Sequence, residues 1–335
     1  MDPRPAVFAL LLAAPLPAQA QDCAPARLLA TVPMQSAEPE SNIRTVPVIL
    51  NGVTRHMVLD TGGATTQLSK DTIAELKLPL HNSSAAIYDI DGRVSRAFAT
   101  VRDFTFGDLH RSDAALMVWP EATRPFAGEL AQDMLQPYDV DVDFTAGALK
   151  LYAKDHCPGP SGWVPTARAE MHNKGWHLHI PVTLDGRTYD AIFDTGSRHT
   201  IMRLPTARHD FGLDTDSAGM EPYRAINGDA FLTGYIHAFS KMSFGGMTIE
   251  RPEVMIVPDI MNRNADKSRM AENPAYHHNA GLILPELSLG MDVLKHLHLY
   301  MALANRRCMS PPPMPPPPCR PAQPNLDAPR QVRHR

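Results

Sequence analysis

The sequence has little excess charge of either sign, because 36 Asp and Glu residues oppose 32 Lys and Arg residues and leave a formal net charge of −4. A balance of this kind gives no reason to expect binding to nucleic acid or to another polyanion. Beyond its first residues, the chain also lacks any apolar run approaching the roughly 20 residues that a membrane-spanning helix requires. The sequence therefore predicts neither a nucleic-acid partner nor a membrane span.

The one apolar run near the beginning of the chain is short. Residues 6–16 are followed by Ala18-Gln19-Ala20, a small-x-small pattern typical of a signal-peptide cleavage site. We interpret residues 1–20 as a signal peptide that is cleaved after Ala20, and we expect export to the periplasm or secretion from the cell. The alternative is an ordinary buried helix at the amino terminus.

Cysteine is scarce, and the wide spacing of its four residues excludes the close pairs of a zinc knuckle or of a Cys-x-x-Cys redox site. An even number of cysteines in an exported chain favours disulfide bonds. Three pairings are possible. We favour Cys23 with Cys157, because both lie just outside the first compact unit and a bridge would join its two ends. The remaining cysteines are Cys308 and Cys319.

Several other signals are missing. Only 20 Gly residues accompany 32 Pro residues, a composition that favours loops and edge strands over long helices and excludes an all-helical protein. The sequence has no Gly-x-Ser-x-Gly elbow and no phosphate-binding loop, so serine hydrolases and nucleotide enzymes lack support. His177 and His179 alternate on a strand-like run, but no third ligand stands at a convincing spacing. The sequence predicts no metal and no cofactor.

What the sequence does contain is an internal repeat. Residues 46–62 match residues 180–196 at a constant offset of 134 positions. Each copy has a β-rich run, an Asn-Gly or Asp-Gly pair and a second apolar run, which together predict a β-hairpin. Residues 104–107 match residues 242–245, and further on two short apolar segments match, at 130–135 and 289–294. Gene duplication is the simplest explanation.

The repeat also predicts the domain organisation. Two copies of about 110 to 135 residues each have the size of a domain, and their many short strands favour closed or packed β-sheets. We expect a first domain at residues 42–153, a second at 175–309 and a Pro- and Gly-containing linker at 154–174. A disordered, proline-rich tail would follow at residues 310–335.

Each copy carries Asp-Thr-Gly directly after two apolar residues. One such tripeptide is a weak signal, because β-turns favour all three residue types, but two at equivalent places in a repeat are far more specific. Residues 58–62 and 192–197 resemble the catalytic loops of retropepsin-like aspartic proteases. The chain is similar to a bacterial, exported member with both halves in one polypeptide. The resemblance implies a mainly β structure of two retropepsin-like β-barrel domains, forming a single-chain pair about a pseudo-twofold axis.

The resemblance also implies the site residues. Asp60 and Asp194 would be catalytic. The following residues would support the two catalytic loops: Thr61, Gly62, Thr195, Gly196 and Ser197. Flap hairpins that close over a peptide are expected near residues 88–95 and 224–231, although surface hairpins without a substrate role are the alternative. The flap candidates are Tyr88, Gly92, Asn227 and Gly228.

The chemistry of such a pair follows from electrostatics. Two carboxylates held about 3 Å apart cannot both ionise and therefore share one proton, aspartic proteases being the well-known case. One member can then act as a base on water while the other acts as an acid. The sequence predicts an aspartic endopeptidase that cleaves a peptide or an unfolded protein segment, and a monomer in preference to a pair of chains.

Two departures from the family pattern keep another interpretation open. Gly63 stands where the family has Ala or Ser, and Ala131 stands where the second copy has Gly290. Both departures predict a looser first catalytic loop. The alternative is a catalytically inactive, peptide-binding envelope protein of the same fold.

Overall fold

The computed structural model describes residues 26–39, 41–88, 94–119, 126–154, 156, 167–174, 177–225, 233–258 and 285–303. The predicted signal peptide, the four cysteines and the proline-rich tail lie outside these residues. Three of the flap candidates also lie outside them, namely Gly92, Asn227 and Gly228.

The first half of the chain is built almost entirely of strands. These are β1 (Leu28–Pro33), β2 (Gln35–Ser36), β3 (Arg44–Leu50), β4 (Val53–Leu59), β5 (Gln67–Leu68), β6 (Leu80–Tyr88), β7 (Val94–Phe106), β8 (Leu109–Val118), β9 (Gly128–Leu130), β10 (Asp139–Asp143) and β11 (Ala148–Tyr152). Two short helices accompany them, α1 (Lys70–Glu75) and α2 (Gln132–Leu135).

The second half repeats this order of elements. Its strands are β12 (His172–Lys174), β13 (His177–Leu184), β14 (Arg187–Phe193), β15 (Ile201–Arg203), β16 (Glu221–Ala225), β17 (Thr233–Ala238), β18 (Lys241–Phe244), β19 (Met247–Glu250), β20 (Glu253–Val257), β21 (Leu287–Leu289) and β22 (His298–Met301). Its helices are α3 (Leu204–Phe211) and α4 (Met291–Leu294). Strands account for 54% of the structure and helices for 10%, so the predicted mainly β class is confirmed.

Both halves begin with the hairpin that the sequence predicts. Asn51 and Gly52 have φ values of 51° and 81°, and Asp185 and Gly186 have φ values of 42° and 83°. Two consecutive residues with positive φ form the tight turn whose twist suits an antiparallel hairpin, and Asn-Gly and Asp-Gly pairs favour it. The turns join β3 to β4 and β13 to β14.

The strands of the first half close into a barrel. Six strands follow one another in the order β3, β4, β9, β5, β8 and β7, and β7 returns to pair with β3. Its interior is filled by large apolar side chains that are almost fully buried, among them Leu50, Phe104, Phe106 and Leu116. In the second half, the matching connections run from β13 through β14, β21 and β15 to β20.

A separate four-stranded sheet joins the halves, in the order β1, β11, β10, β22. Strand β22 of the second half pairs antiparallel with β10 of the first, and Asp141 lies opposite Tyr300 near the middle of the pairing. Both strands follow the short helix of their own half, so the pairing relates the halves by a pseudo-twofold axis. Because the sheet draws strands from both, the single-chain pair implied by the resemblance is confirmed.

Three strands of the structure lie outside the domain ranges expected from the repeat. β1 and β2 precede residue 42 and pair with β11 and β3 respectively, and β12 lies within residues 154–174 and pairs with β13. Among the described residues, no helix is both long and apolar enough to span a membrane.

Candidate active site

The first catalytic loop begins where strand β4 ends. The last residues of β4 pair in parallel with β9, and the backbone N–H of Asp60 then donates to the carbonyl oxygen of Leu130 at 2.9 Å. The Asp60 side chain then turns back over its own loop, where its Oδ1 accepts from the N–H groups of Gly62 and Gly63, both at 2.9 Å. These two bonds fix the carboxyl group relative to the backbone.

The second catalytic loop has the same construction. The N–H of Asp194 donates to the carbonyl oxygen of Leu289 at 3.0 Å, and Asp194 Oδ1 accepts from Gly196 and Ser197 at 2.9 and 3.0 Å. The contact of Ser197 with the aspartate uses its backbone N–H, whereas its hydroxyl donates to the carbonyl oxygen of His199 at 2.7 Å.

The two loops are held together by their threonines. Thr61 Oγ1 donates to the carbonyl oxygen of Phe193, and Thr195 Oγ1 donates to that of Leu59, each at 2.7 Å. Each hydroxyl oxygen also accepts from the N–H of the opposite threonine at 3.1 Å. Both threonines are almost completely buried, so four hydrogen bonds in a dry environment join the halves at the bases of the loops.

The glycines of the loops allow the two carboxyl groups to meet. A Cβ atom added to Gly62 would overlap the carboxyl group of Asp194, and one added to Gly196 would lie 2.5 Å from Asp60 Oδ1. Only a residue without a side chain can occupy either position. The side chains of Asp60 and Asp194 consequently meet and interact with each other.

Burial and proximity change the acidity of this pair. Burial raises the pKa of Asp60, although its hydrogen bonds to the loop backbone act against the change. Burial also raises the pKa of Asp194 well above its ordinary value, and the negative charge of Asp60 raises it further. An arrangement in which one carboxyl is protonated and the other is charged is therefore favoured over two charged groups.

A second pair of residues supports each loop from behind. Asp133 Oδ1 accepts from the N–H and the hydroxyl of Thr66, at 3.0 and 2.6 Å. Asp292 accepts from the same two groups of Thr200, at 2.8 and 2.7 Å. The resemblance to retropepsin-like proteases already implies that the segments at residues 130–135 and 289–294 support the catalytic loops, but the sequence did not single out these two aspartates. The signal was available in the repeat, because Thr66 and Thr200 have the same offset of 134 as the catalytic loops.

In the structure, Gly63 and Ala131 lie next to each other in the first loop. A Cβ atom added to Gly63 would lie 2.5 Å from Asp60 Oδ2 and 3.2 Å from the Cβ of Ala131. The absent side chain at position 63 thus leaves room for the methyl group of Ala131. The Ala131 N–H still donates to Thr66 Oγ1 at 3.0 Å, as the Gly290 N–H does to the matching threonine at 3.1 Å.

Two further residues contact the first loop and were not recognised from the sequence as part of the site. Gln132 Nε2 donates to the carbonyl oxygen of Thr61 at 2.6 Å, and His177 Nδ1 lies 2.7 Å from the carbonyl oxygen of Gly62. Within the described part of the chain, no group of His, Cys, Asp and Glu side chains could hold a metal ion.

The predicted flaps fall between paired antiparallel strands that the structure describes. In the first half, Tyr88 ends β6 and pairs with Val94 of β7, and in the second half Ala225 of β16 pairs with Thr233 of β17. The residues between these strands, 89–93 and 226–232, lie outside the described residues.

Comparison with known protein families matches this chain twice. Residues 46–135 and residues 180–293 both match the aspartyl protease family. A search of curated proteins finds no match. The two matches cover more than half of the chain, and each contains one of the aspartates that the fold brings together. The chain belongs to the aspartyl protease family, with two retropepsin-like halves in one polypeptide.

Proposed function

We propose that this protein is an aspartic endopeptidase that hydrolyses peptide bonds with water activated between Asp60 and Asp194. The observation that carries the proposal is the contact between the two carboxyl groups, whose pKa values are raised by burial and, for Asp194, by the neighbouring charge. A pair that keeps one proton contains a base and an acid at the same place, which is what hydrolysis of an amide requires.

The reaction balances with these two groups alone. The charged carboxylate takes a proton from a water molecule as its oxygen attacks the peptide carbonyl carbon, and the protonated carboxyl donates its proton to the carbonyl oxygen. The C–N bond of the resulting tetrahedral intermediate then breaks. The amine leaves with the proton of the pair, and one hydroxyl group of the intermediate returns a proton to the pair as the new carboxyl group forms, so that the pair again holds one proton.

The substrate would be a peptide or an unfolded segment of a protein. An extended peptide can add to the hairpins β6–β7 and β16–β17 as a further strand, with main-chain hydrogen bonds supplying affinity and side-chain pockets supplying selectivity. We also propose that the protein is exported and acts as a monomer. Export is supported by the apolar run and small-x-small pattern at residues 1–20, and the monomer by the presence of both catalytic loops in one chain.

The direct test is cleavage of a denatured protein across pH 3 to 8, with products identified by mass spectrometry. Asp60→Asn and Asp194→Asn should each reduce cleavage at least about a thousandfold, because each removes one half of the acid–base pair. Asp214→Asn is the matched control, since this carboxylate lies on the surface against Arg208. Full activity in either catalytic variant would refute the assignment, and peptide binding by the wild type without cleavage would indicate a binding protein.

Mixing the two inactive variants tests whether the pair forms within one chain. An intramolecular pair predicts no recovery, because each variant chain contains one defective loop. Recovered activity in the mixture would show that catalytic loops from two chains can combine.

A further inference from the structure

His177 crosses from the second half of the chain to the first catalytic loop. It begins strand β13, and its ring nitrogen Nδ1 lies 2.7 Å from the carbonyl oxygen of Gly62. A carbonyl oxygen can only accept a hydrogen bond, so Nδ1 carries the hydrogen and donates it. The orientation of the ring is thereby fixed, and Nε2 is the nitrogen that gains a proton when the ring becomes a cation.

The carbonyl group that accepts this bond is linked through one peptide unit to the side chain of Asp60. The Gly62 carbonyl and the Gly63 N–H belong to one peptide unit, and that N–H donates to Asp60 Oδ1 at 2.9 Å. Hydrogen bonds in such a chain polarise one another, so donation to the oxygen strengthens donation by the N–H. His177 therefore favours negative charge on Asp60 through a single peptide unit.

Among the described residues, the second half shows no equivalent of this arrangement. The residue 134 positions before His177 is Ile43, whose hydrocarbon side chain cannot donate a hydrogen bond. Asn42 does cross to the second half, but its amide donates to the carbonyl oxygen of Arg198 at 2.9 Å. The N–H group that bonds Asp194 is that of Ser197, and it belongs to a different peptide unit. The two aspartates of an otherwise symmetrical site thus differ in this contact.

The electrostatic environment has the same asymmetry. Burial raises the pKa of Asp60 and the charge of His177 acts against this change, whereas the charge of Asp60 adds to the effect of burial on Asp194. The other charged or titratable residues near this end of β13, within the part of the chain that the structure describes, are His172, Lys174, His179 and Asp190. The first three all contact the Asp190 carboxylate, at 3.0 to 3.4 Å, so this group balances part of their charge.

We propose that His177 is a positioning residue that holds the first catalytic loop through Gly62 and, as a cation, stabilises negative charge on Asp60, so that Asp60 is the base and Asp194 holds the shared proton. This assignment of roles within the pair rests on the proposed peptidase function.

Two substitutions separate the two contributions of His177. His177→Asn places an amide donor where Nδ1 stands but cannot become a cation, and His177→Ala removes both the donor and the charge. Without the cation, the first pKa of the pair, for loss of one proton from the doubly protonated state, should rise. We expect the midpoint of the acidic limb of the kcat/KM profile to rise by roughly half a pH unit or more in His177→Asn, with activity at the optimum within about threefold of wild type.

We expect the same shift in His177→Ala, together with a fall of about tenfold or more in kcat because the first loop loses its support. His179→Asn is the matched control, since this histidine is on the same strand but contacts Asp190. An acidic limb in His177→Asn that coincides with that of wild type would overturn the electrostatic role, and full kcat in His177→Ala would overturn the positioning role.

A second measurement does not depend on turnover. The carboxyl carbon of Asp60, followed by nuclear magnetic resonance as the pH is lowered, should gain its proton at a higher pH in His177→Asn than in wild type. An unchanged titration would contradict the inference even if the protein cleaves no peptide, whereas absence of cleavage in the wild type with a shifted titration would contradict only the proposed function.

Discussion

The hydroxyl groups of Thr61 and Thr195 each donate to a backbone carbonyl of the opposite half, so that each catalytic loop is anchored by the other. Thr61→Val or Thr195→Val retains the shape of the side chain but leaves a buried carbonyl and a buried N–H without this partner. We expect each substitution to lower the free energy of unfolding by about 1–3 kcal/mol. Because the carboxyl groups would also be less precisely placed, kcat should fall at least about tenfold.

Urea unfolding and kcat measured on the same samples test this prediction. Thr61→Ser and Thr195→Ser are the matched controls, since they keep the hydroxyl, and they should retain most of the stability and activity. Valine variants with wild-type stability and kcat would contradict the role of these bonds.

The absence of a side chain at Gly63 gives a second prediction. A methyl group there would lie 2.5 Å from Asp60 Oδ2, so this carboxyl group would have to move from its position in the site. Gly63→Ala should therefore lower kcat by about a hundredfold while changing KM little, because the misplacement affects the reacting groups more than substrate binding. The control is Ser197→Ala, because a Cβ already occupies the equivalent position of the second loop. Equal activity of Gly63→Ala and wild type would show that the site tolerates a side chain at position 63.

The raised pKa values of the pair predict an unusual dependence of stability on pH. Protonation of these carboxyls favours the folded state, because their pKa values are higher when folded than the ordinary value of 3.8. This contribution is complete below about pH 3.8 and is lost as the pH rises through the raised values. Each unit of difference corresponds to about 1.4 kcal/mol.

Asp194→Asn should consequently stabilise the protein at neutral pH. Its side-chain oxygen can keep the bonds from Gly196 and Ser197, and its amide can donate to Asp60, as a protonated carboxyl would. Thermal unfolding between pH 3 and 7 should show a higher melting temperature than wild type at pH 7 and little difference at pH 3. A variant that is less stable than wild type by the same amount at every pH would contradict the assignment of raised pKa values.

A buried hydrogen bond in the sheet that joins the halves gives a prediction about stability. Tyr300 Oη donates to Asp139 Oδ2 at 3.1 Å, from β22 of the second half to β10 of the first. Asp139 is fully buried, so Tyr300→Phe should lower the free energy of unfolding by about 1–3 kcal/mol. The same substitution in an Asp139→Ala background, which has no side-chain acceptor, supplies the control. If it costs as much there as in wild type, the two side chains are not coupled.

Much of the fold could be predicted because the sequence contains an internal repeat. The Asn-Gly and Asp-Gly pairs fixed two hairpins, and the duplicated Asp-Thr-Gly predicted which aspartates would meet. Strand β1 was not predicted, because it lies before the first copy and its pairing with β11 is a long-range contact without a local signal. The sheet that joins the halves was not predicted for the same reason, since strands from distant parts of the chain pair in it.

The limits of sequence reasoning at the site have a specific cause. Asp133 and Asp292 were visible in the repeat, but their role depends on the distance to a threonine more than 60 residues away. His177 was weighed as a metal ligand and was given no role in the site, because no sequence pattern indicates that its ring reaches the carbonyl of Gly62. Gly63 and Ala131 were each interpreted alone, whereas their meaning comes from the space they share.

The proposed function requires Asp60 and Asp194 to share a single proton. The most direct measurement is the titration of both carboxyl carbons by nuclear magnetic resonance in wild type and in Asp194→Asn. We predict two well-separated steps in wild type, with the upper step well above pH 3.8, and the loss of this upper step in the variant. Two independent titrations near pH 3.8 in wild type, with Asp60 unaffected by the substitution, would contradict the account.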